Sequence, residues 1–151
     1  MSKINIRAKG ANGEREIVNL LEPIVRRVYA SMGRELPEKN ILQRNQNQSA
    51  VGGSDLSNTF GLAIEVKRQE QLAIPAWWKQ CTDAAERNGE RPVLIYRQNN
   101  KRWNVVMNMY AGLPYGSQFI FPAQISMEDF QVWFATWVTQ FLLREPDSAR
   151  V

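Results

Sequence analysis

The sequence predicts an α/β domain on a mixed sheet, and three observations predict it. Residues 12–33 carry apolar side chains at helical spacing, residues 62–67 form an apolar strand charged only towards its end, and a proline-started helix at 75–87 separates that strand from a second strand pair. The order is helix, three strands, helix, two strands, with one more helix at the C-terminus. At 151 residues the chain can fill one core and is too short for two ordinary domains, so a single domain over 1–151 is expected.

Residues 1–11 read as a short basic arm with Lys3, Arg7 and Lys9, either a frayed terminus or an arm that contacts phosphates. Asn12 is the expected N-cap of the first helix. Ile17, Leu20, Leu21, Ile24, Val25 and Val28 follow at spacings that make one face, with Glu14 and Glu16 in the first turn. Pro23 removes a backbone donor and should kink or divide this helix near 19–22, and Gly33 should end it. Glu14 and Glu16 stand ~200° apart around the helix, so only one of them can face a site on the sheet. Residues 34–51 are polar, with a strand expected near Asn40 to Arg44 and an amide-rich loop through Ser49. That loop is either a solvated connection or a segment that orders on a sugar-phosphate backbone.

Gly52-Gly53-Ser54-Asp55 then places an acidic residue on a glycine turn, ten residues before Glu65 in the strand Leu62-Ala63-Ile64-Glu65-Val66-Lys67. A period of two sends Glu65 and Lys67 to one face, roughly 6–7 Å apart, and Ile64 and Val66 to the other. Burying a carboxylate and an ammonium there is costly unless they pair or bind a cation. Pro75 is well placed to open the next helix, which should stop at Asn88-Gly89 with Trp78, Cys81, Ala84 and Ala85 as its apolar stripe. Trp77 and Trp78 read as packing residues rather than base-stacking ones. Pro92 to Tyr96 and Trp103 to Met107 read as a hairpin around Gln98 to Lys101. Residues 111–122 read as loop with a short extended piece at Phe119 to Phe121. Ser126 and Asp129 resemble a capping box for the last helix, where Phe130, Trp133, Phe134, Trp137, Val138, Phe141 and Leu142 share one face. These aromatics are expected in the core, and any surplus the sheet cannot cover is a dimer contact.

Composition narrows the chemistry. The 19 Lys and Arg against 15 Asp and Glu give +4, which favours a polyanionic partner without demanding one. There is no histidine, so a His-based triad, a His-metal finger nuclease and a His-ligated zinc site are all excluded. Cys81 is the single cysteine and reads as a buried free thiol, which fits a reducing cytoplasm. No stretch is long and apolar enough to span a bilayer, and the polar start Met1 to Arg7 does not read as a secretion signal.

Phosphodiester hydrolysis needs a cation to stabilise charge on phosphorus, carboxylates to hold it, and a group that orients water. Asp55, Glu65 and Lys67 supply that set. In this scheme Asp55, Glu65 and the Val66 carbonyl bind magnesium, or manganese in its place, and Lys67 holds the nucleophilic water or the scissile phosphate. A carboxylate from the first helix, Glu14 by preference, completes the outer shell. A bare Glu-x-Lys arises by chance in roughly half of chains of this length. The ordered set of helix carboxylate, glycine turn with Asp, apolar strand with Glu-x-Lys and following helix is more specific. It resembles the PD-(D/E)XK nuclease superfamily, with Ser54-Asp55 in place of Pro-Asp. The resemblance implies a restriction-endonuclease-like core at 12–110, a mixed five-stranded sheet flanked by helices, and an extension at 111–151 that carries the aromatic helix.

Within that superfamily the chain is similar to the archaeal-type (Hjc-like) Holliday junction resolvases. Lys9-Gly10, three residues and Glu14-Arg15-Glu16 before an apolar helix match the family's opening pattern, whose first glutamate is the catalytic one, and this selects Glu14. Asp55, Ile64 to Lys67, Pro92 to Tyr96 and Trp103 to Met107 match its later segments. The resemblance implies a homodimer that makes paired magnesium-dependent nicks in four-way DNA junctions, with no nucleotide cofactor. Expected DNA contacts are Arg7, Lys9, Arg44, Ser54 and Arg68, the arginines 44 and 68 being read equally as plain exposed residues. Gln80 is either a contact to water beside the ion or a surface amide. The alternatives are a nuclease of the same kind for flapped, linear or restriction-type duplexes, and a non-catalytic DNA-binding relative.

Overall fold

The computed structural model describes residues 6–45 and 54–145, with side chains from residue 9 onward. Helix α1 spans Ile6–Ser31. Residues 6–11 are therefore helical rather than an arm, and Asn12 lies inside the helix, where its side chain accepts from Arg15 instead of capping. Lys3 lies outside the described residues, as does the side chain of Arg7. Pro23 does not divide the helix. Pro23 forfeits one hydrogen bond, and the burial of Leu21, Ile24, Val25 and Val28 around it holds the axis together. Gly33, at φ +70°, ends the helix while Arg34 N–H donates back to the Tyr29 carbonyl.

The chain then folds back along α1, and Glu22 holds it there. Its carboxylate, 5% exposed, accepts from the Ile41 and Leu42 N–H groups at 3.0 and 2.8 Å and from Arg26 Nε at 3.0 Å. Arg26 in turn donates to the Pro37 and Lys39 carbonyls. Glu22→Ala would leave two backbone donors and the Arg26 Nε without their acceptor. We expect a loss of about 3 kcal/mol, read as a lower melting temperature by circular dichroism, with Glu22→Gln in between. An unchanged melt for Glu22→Ala would contradict this role.

Strands β1 (Gln43–Arg44) and β2 (Leu56–Ser57) form a short antiparallel ribbon. The main sheet consists of β3 (Leu62–Arg68), β4 (Arg91–Arg97), β5 (Asn104–Gly112) and β6 (Gln118–Ser126), in that order. Among the described residues it has four strands where five were expected: the first two pair only with each other, and β6, which was not expected, joins the sheet. β3 and β4 are parallel from Leu62↔Arg91 to Arg68↔Arg97, and the other neighbours are antiparallel. Helix α2 (Ile74–Asn88) makes the β3–β4 crossover, with Pro75 in its first turn and Gly89 in the left-handed conformation after its end. The expected loop at 111–122 is instead the far half of a nine-residue hairpin, β5 with β6. Pro122 is tolerated because β6 is an edge strand.

Helix α3 (Met127–Leu143) follows at once, Ser126 Oγ accepting from Asp129 N–H at 3.0 Å. The layers follow from the period of two. Leu62, Ile64, Val66, Val93, Ile95, Val105 and Met107 face α1 and α3, where Phe130 and Phe134 are fully buried. Leu94, Tyr96 and Val106 face α2, against Trp77 and Cys81. On α2 Trp77 is the buried tryptophan and Trp78 the partly buried one, a shift of one position from the expected stripe. No described helix is long and apolar enough to cross a membrane.

Candidate active site

The site forms where three elements meet at the free edge of β3. Asp55 is carried there by the backbone: its N–H donates to the Ile64 carbonyl at 3.0 Å, and its Oδ2 accepts from the Val66 N–H at 2.7 Å. A strand residue sends its N–H and C=O to the same side, so the Val66 carbonyl also projects from this edge. Glu65 turns to the α2 face, 2% exposed, and its carboxyl is hydrogen-bonded to that of Asp55, which is 8% exposed. Lys67, half-buried, follows on the same face and favours the charged form of both acids.

Glu14 arrives from α1. Gly13 makes the approach possible: a Cβ there would meet Arg68 Cβ at 3.3 Å and the Val66 and Trp103 side chains at 3.6 Å, so the helix lies close upon β3. Glu14 is 6% exposed, accepts from Arg44 Nε at 2.8 Å, and adds its charge to the field at Asp55 and Glu65. The structure thus brings Glu14, Asp55, Glu65 and Lys67 together around one strand end, with Arg44 at the rim.

The electrostatics suit a cation. Burial first, then the Asp55 charge, push the Glu65 carboxyl up to about 9. Burial raises Asp55 too, against the pull of the Val66 N–H. A hydrogen bond between two carboxyl groups requires a proton on one, and Glu65 holds it, donating to Asp55. Two buried acids sharing a proton are a donor set that a divalent ion can occupy by displacing that proton. Among the described residues no three His, Cys, Asp or Glu side chains converge on one point, so the Val66 carbonyl would have to complete the set, with Glu14 acting through water.

Other expected contacts are placed differently. Ser54 is buried and its hydroxyl donates to the Leu56 carbonyl, so it presents nothing to a ligand. Arg68 donates to Glu16 Oε1 at 2.9 Å, shared with Arg97 at 3.1 Å, while Trp103 Nε1 donates to Glu16 Oε2 at 3.2 Å. Arg68 is therefore held by Glu16 rather than free for phosphate. Lys9 lies 3.8 Å from Glu70. Gln80 is exposed on the outer side of α2. Cys81 donates weakly to the Ala63 carbonyl, and burial pushes its thiol up to about 12, an unreactive state. Glu16 is the residue sequence reasoning missed: it ties α1 to β3, β4 and the start of β5, and so fixes the helix turn that carries Glu14.

Asn45 and Ser54, the described residues that flank 46–53, meet beside this site. Asn45 N–H donates to the Asp55 carbonyl at 2.9 Å and its side chain to the Ser54 carbonyl at 3.1 Å. The amide-rich residues 46–49 and the glycines of the turn lie outside the described residues.

The family model described as phage putative PDDEXK endonuclease matches residues 5–142. The chain belongs to that family. No curated protein matches it. Among solved structures it is similar to a 1.6 Å structure of Archaeoglobus fulgidus Hjc, a Holliday junction resolvase from an archaeal hyperthermophile, with TM-score 0.45 and 14% identity over 80% of this chain and 97% of that one. In this PDDEXK endonuclease the core is restriction-endonuclease-like, the mixed sheet lies between helices, and the Asp of the glycine turn and the Glu-x-Lys strand are adjoining parts of one site.

Proposed function

We propose that the protein is a magnesium-dependent endodeoxyribonuclease that resolves four-way DNA junctions by paired nicks, acting as a homodimer. The observation that carries it is the buried Asp55–Glu65 carboxyl pair at the edge of β3, with Lys67 two residues on and Glu14 alongside, in a PDDEXK family chain. Asp55 and Glu65, with the Val66 carbonyl, would hold magnesium or manganese, which when bound supplies the positive charge that offsets charge building on phosphorus. Lys67 directs a proton-bearing cation at the attacking water or the scissile phosphate and lowers the cost of bringing an anion beside two acids. Glu14, ion-paired to Arg44 at 2.8 Å, would reach the ion through water. The junction preference rests on the Lys9 to Glu16 pattern and the Ile64 to Lys67 strand, which resemble the resolvases in sequence.

The test is a synthetic four-way junction beside the linear duplex of the same arms, each with magnesium, manganese or a chelator. Paired nicks in the junction with magnesium alone or manganese alone, none with chelator and little cutting of the duplex, are the expected result. Equal cutting of the duplex would move the substrate to linear DNA. No cutting of either would leave a DNA-binding relative.

A further inference from the structure

The β5–β6 hairpin runs on past the rest of the sheet. β4 accompanies β5 only to the Val93↔Met107 pair, whereas β5 and β6 remain paired out to Gly112↔Gln118. Residues 108–122 are thus an arm without a strand on either side. Its side chains are apolar on both faces and at the tip. Met109, Tyr110, Leu113, Phe119, Ile120 and Phe121 are between 37 and 58% exposed, and Tyr115 is wholly so. A two-stranded ribbon is marginal in water unless something covers it.

Charge says what does not cover it. From Trp103 to Met127 there is no Asp, Glu, Lys or Arg, in a chain that is 23% charged overall. Exposed edge strands are normally guarded by such charges. An arm without cations offers nothing to a phosphate backbone, and an arm without charge of either sign does not select a partner by charge.

A receptor for such an arm lies at its own base. Between the hairpin and α3 runs an apolar groove of about 520 Å³, walled by Met107, Met109, Ile125, Trp133 and Trp137. The two indoles are stacked with centroids 5.2 Å apart, and Arg91 lies over Tyr110 and Trp137 at 5.5 and 5.2 Å. The groove suits an aromatic ring whose hydroxyl stays at the wet rim, where Glu90, Arg91 and Asp129 stand.

We propose that a second copy of this chain covers the arm, an inference that rests on the homodimer proposed above and gives it its interface. Two chains pair about a twofold axis, each laying its hairpin along the other's groove, with Tyr115 of one against Trp133 and Trp137 of the other. The exposed side chains of the arm offer on the order of 700 Å², close to the ~800 Å² each partner gives to an interface of standard size. A twofold contact brings each uncharged arm onto the other chain's groove, where Glu90, Arg91 and Asp129 meet no like charge from it. The tip is shaped to protrude: Tyr115 and Gly116 take φ of +66° and +84°, and Leu113 N–H closes the loop on the Ser117 carbonyl at 2.8 Å. Glu65 lies level with Val106, six residues before the tip end of β5, so the arm points about 20 Å away from the carboxylates and the pairing leaves both sites open.

Sedimentation velocity of the full chain, without DNA or metal, reads this whatever the cleavage assays give. The expected result is a species of twice the chain mass at micromolar concentration. Phe119→Glu with Ile120→Glu should halve that mass, and Tyr115→Asp, a change at a fully exposed position, should weaken self-association about tenfold with an unaltered circular dichroism spectrum. A monomer at that concentration overturns the proposal, as does a dimer indifferent to Tyr115→Asp. So does a monomer that loses binding to phosphatidylcholine vesicles or to a DNA junction on Tyr115→Asp, since the arm would then belong to a bilayer or to unstacked bases. Should the double variant fail to fold, Tyr115→Asp decides alone.

Discussion

Asp55→Asn should lower junction cleavage on the order of 10³-fold while leaving the fold and the DNA affinity nearly as they were. The expectation follows from what each atom of Asp55 does. Its Oδ2 accepts from the Val66 N–H at 2.7 Å, and an amide oxygen can keep that bond, so the edge of β3 stays closed. The amide has lost the charge that a divalent ion needs, and its NH2 group now points a donor where a ligand oxygen was. Nicking assays with magnesium measure the loss, a gel shift in calcium measures retained binding, and circular dichroism checks the fold. Cleavage within tenfold of the parent would remove Asp55 from the chemistry.

Glu65→Gln should make the metal-free protein more stable at alkaline pH, by roughly 2–4 kcal/mol at pH 8. In the folded protein Glu65 keeps its proton up to about 9, whereas unfolded it titrates near the ordinary value of 4.5. The folded state therefore holds a proton that the unfolded state gives up in between. Stability from this source is complete below about pH 4.5, drains away as pH rises, and is lost above about 9. A glutamine stays neutral throughout, so melting curves of parent and variant in chelator should meet near pH 5 and diverge towards pH 9. Magnesium should raise the melting temperature of the parent at pH 8 and do little for the variant, because it replaces the proton. Parallel melting temperatures across that range would show that Glu65 is not held in this state.

The strand that carries Glu65 and Lys67 was legible because a period of two needs only local sequence: Ile64 and Val66 inward, Glu65 and Lys67 together on the other face. The capping of α3 by Ser126 and the stop of α2 at Gly89 were legible for the same reason. The hairpin was hidden by its own composition. Gly112, Pro114, Gly116 and Pro122 signal turns, and without charges there is no polar alternation to mark a strand among them. Asn12 misled because a good capping residue need not cap when Gly13 lets the helix pack through that point. Glu16 was beyond reach of any local pattern: its partners Arg68, Arg97 and Trp103 lie 52, 81 and 87 residues away.

Asn45 and Ser54–Asp55 stand as adjoining gateposts for everything between them. A stretch that leaves and re-enters through one hydrogen-bonded gate can change in length or composition at a closure cost that grows only with the logarithm of its size. Residues inserted or deleted between those two points would leave Asp55 seated, because the backbone bonds that hold it, Asn45 N–H to its carbonyl and its own N–H to the Ile64 carbonyl, lie outside that interval.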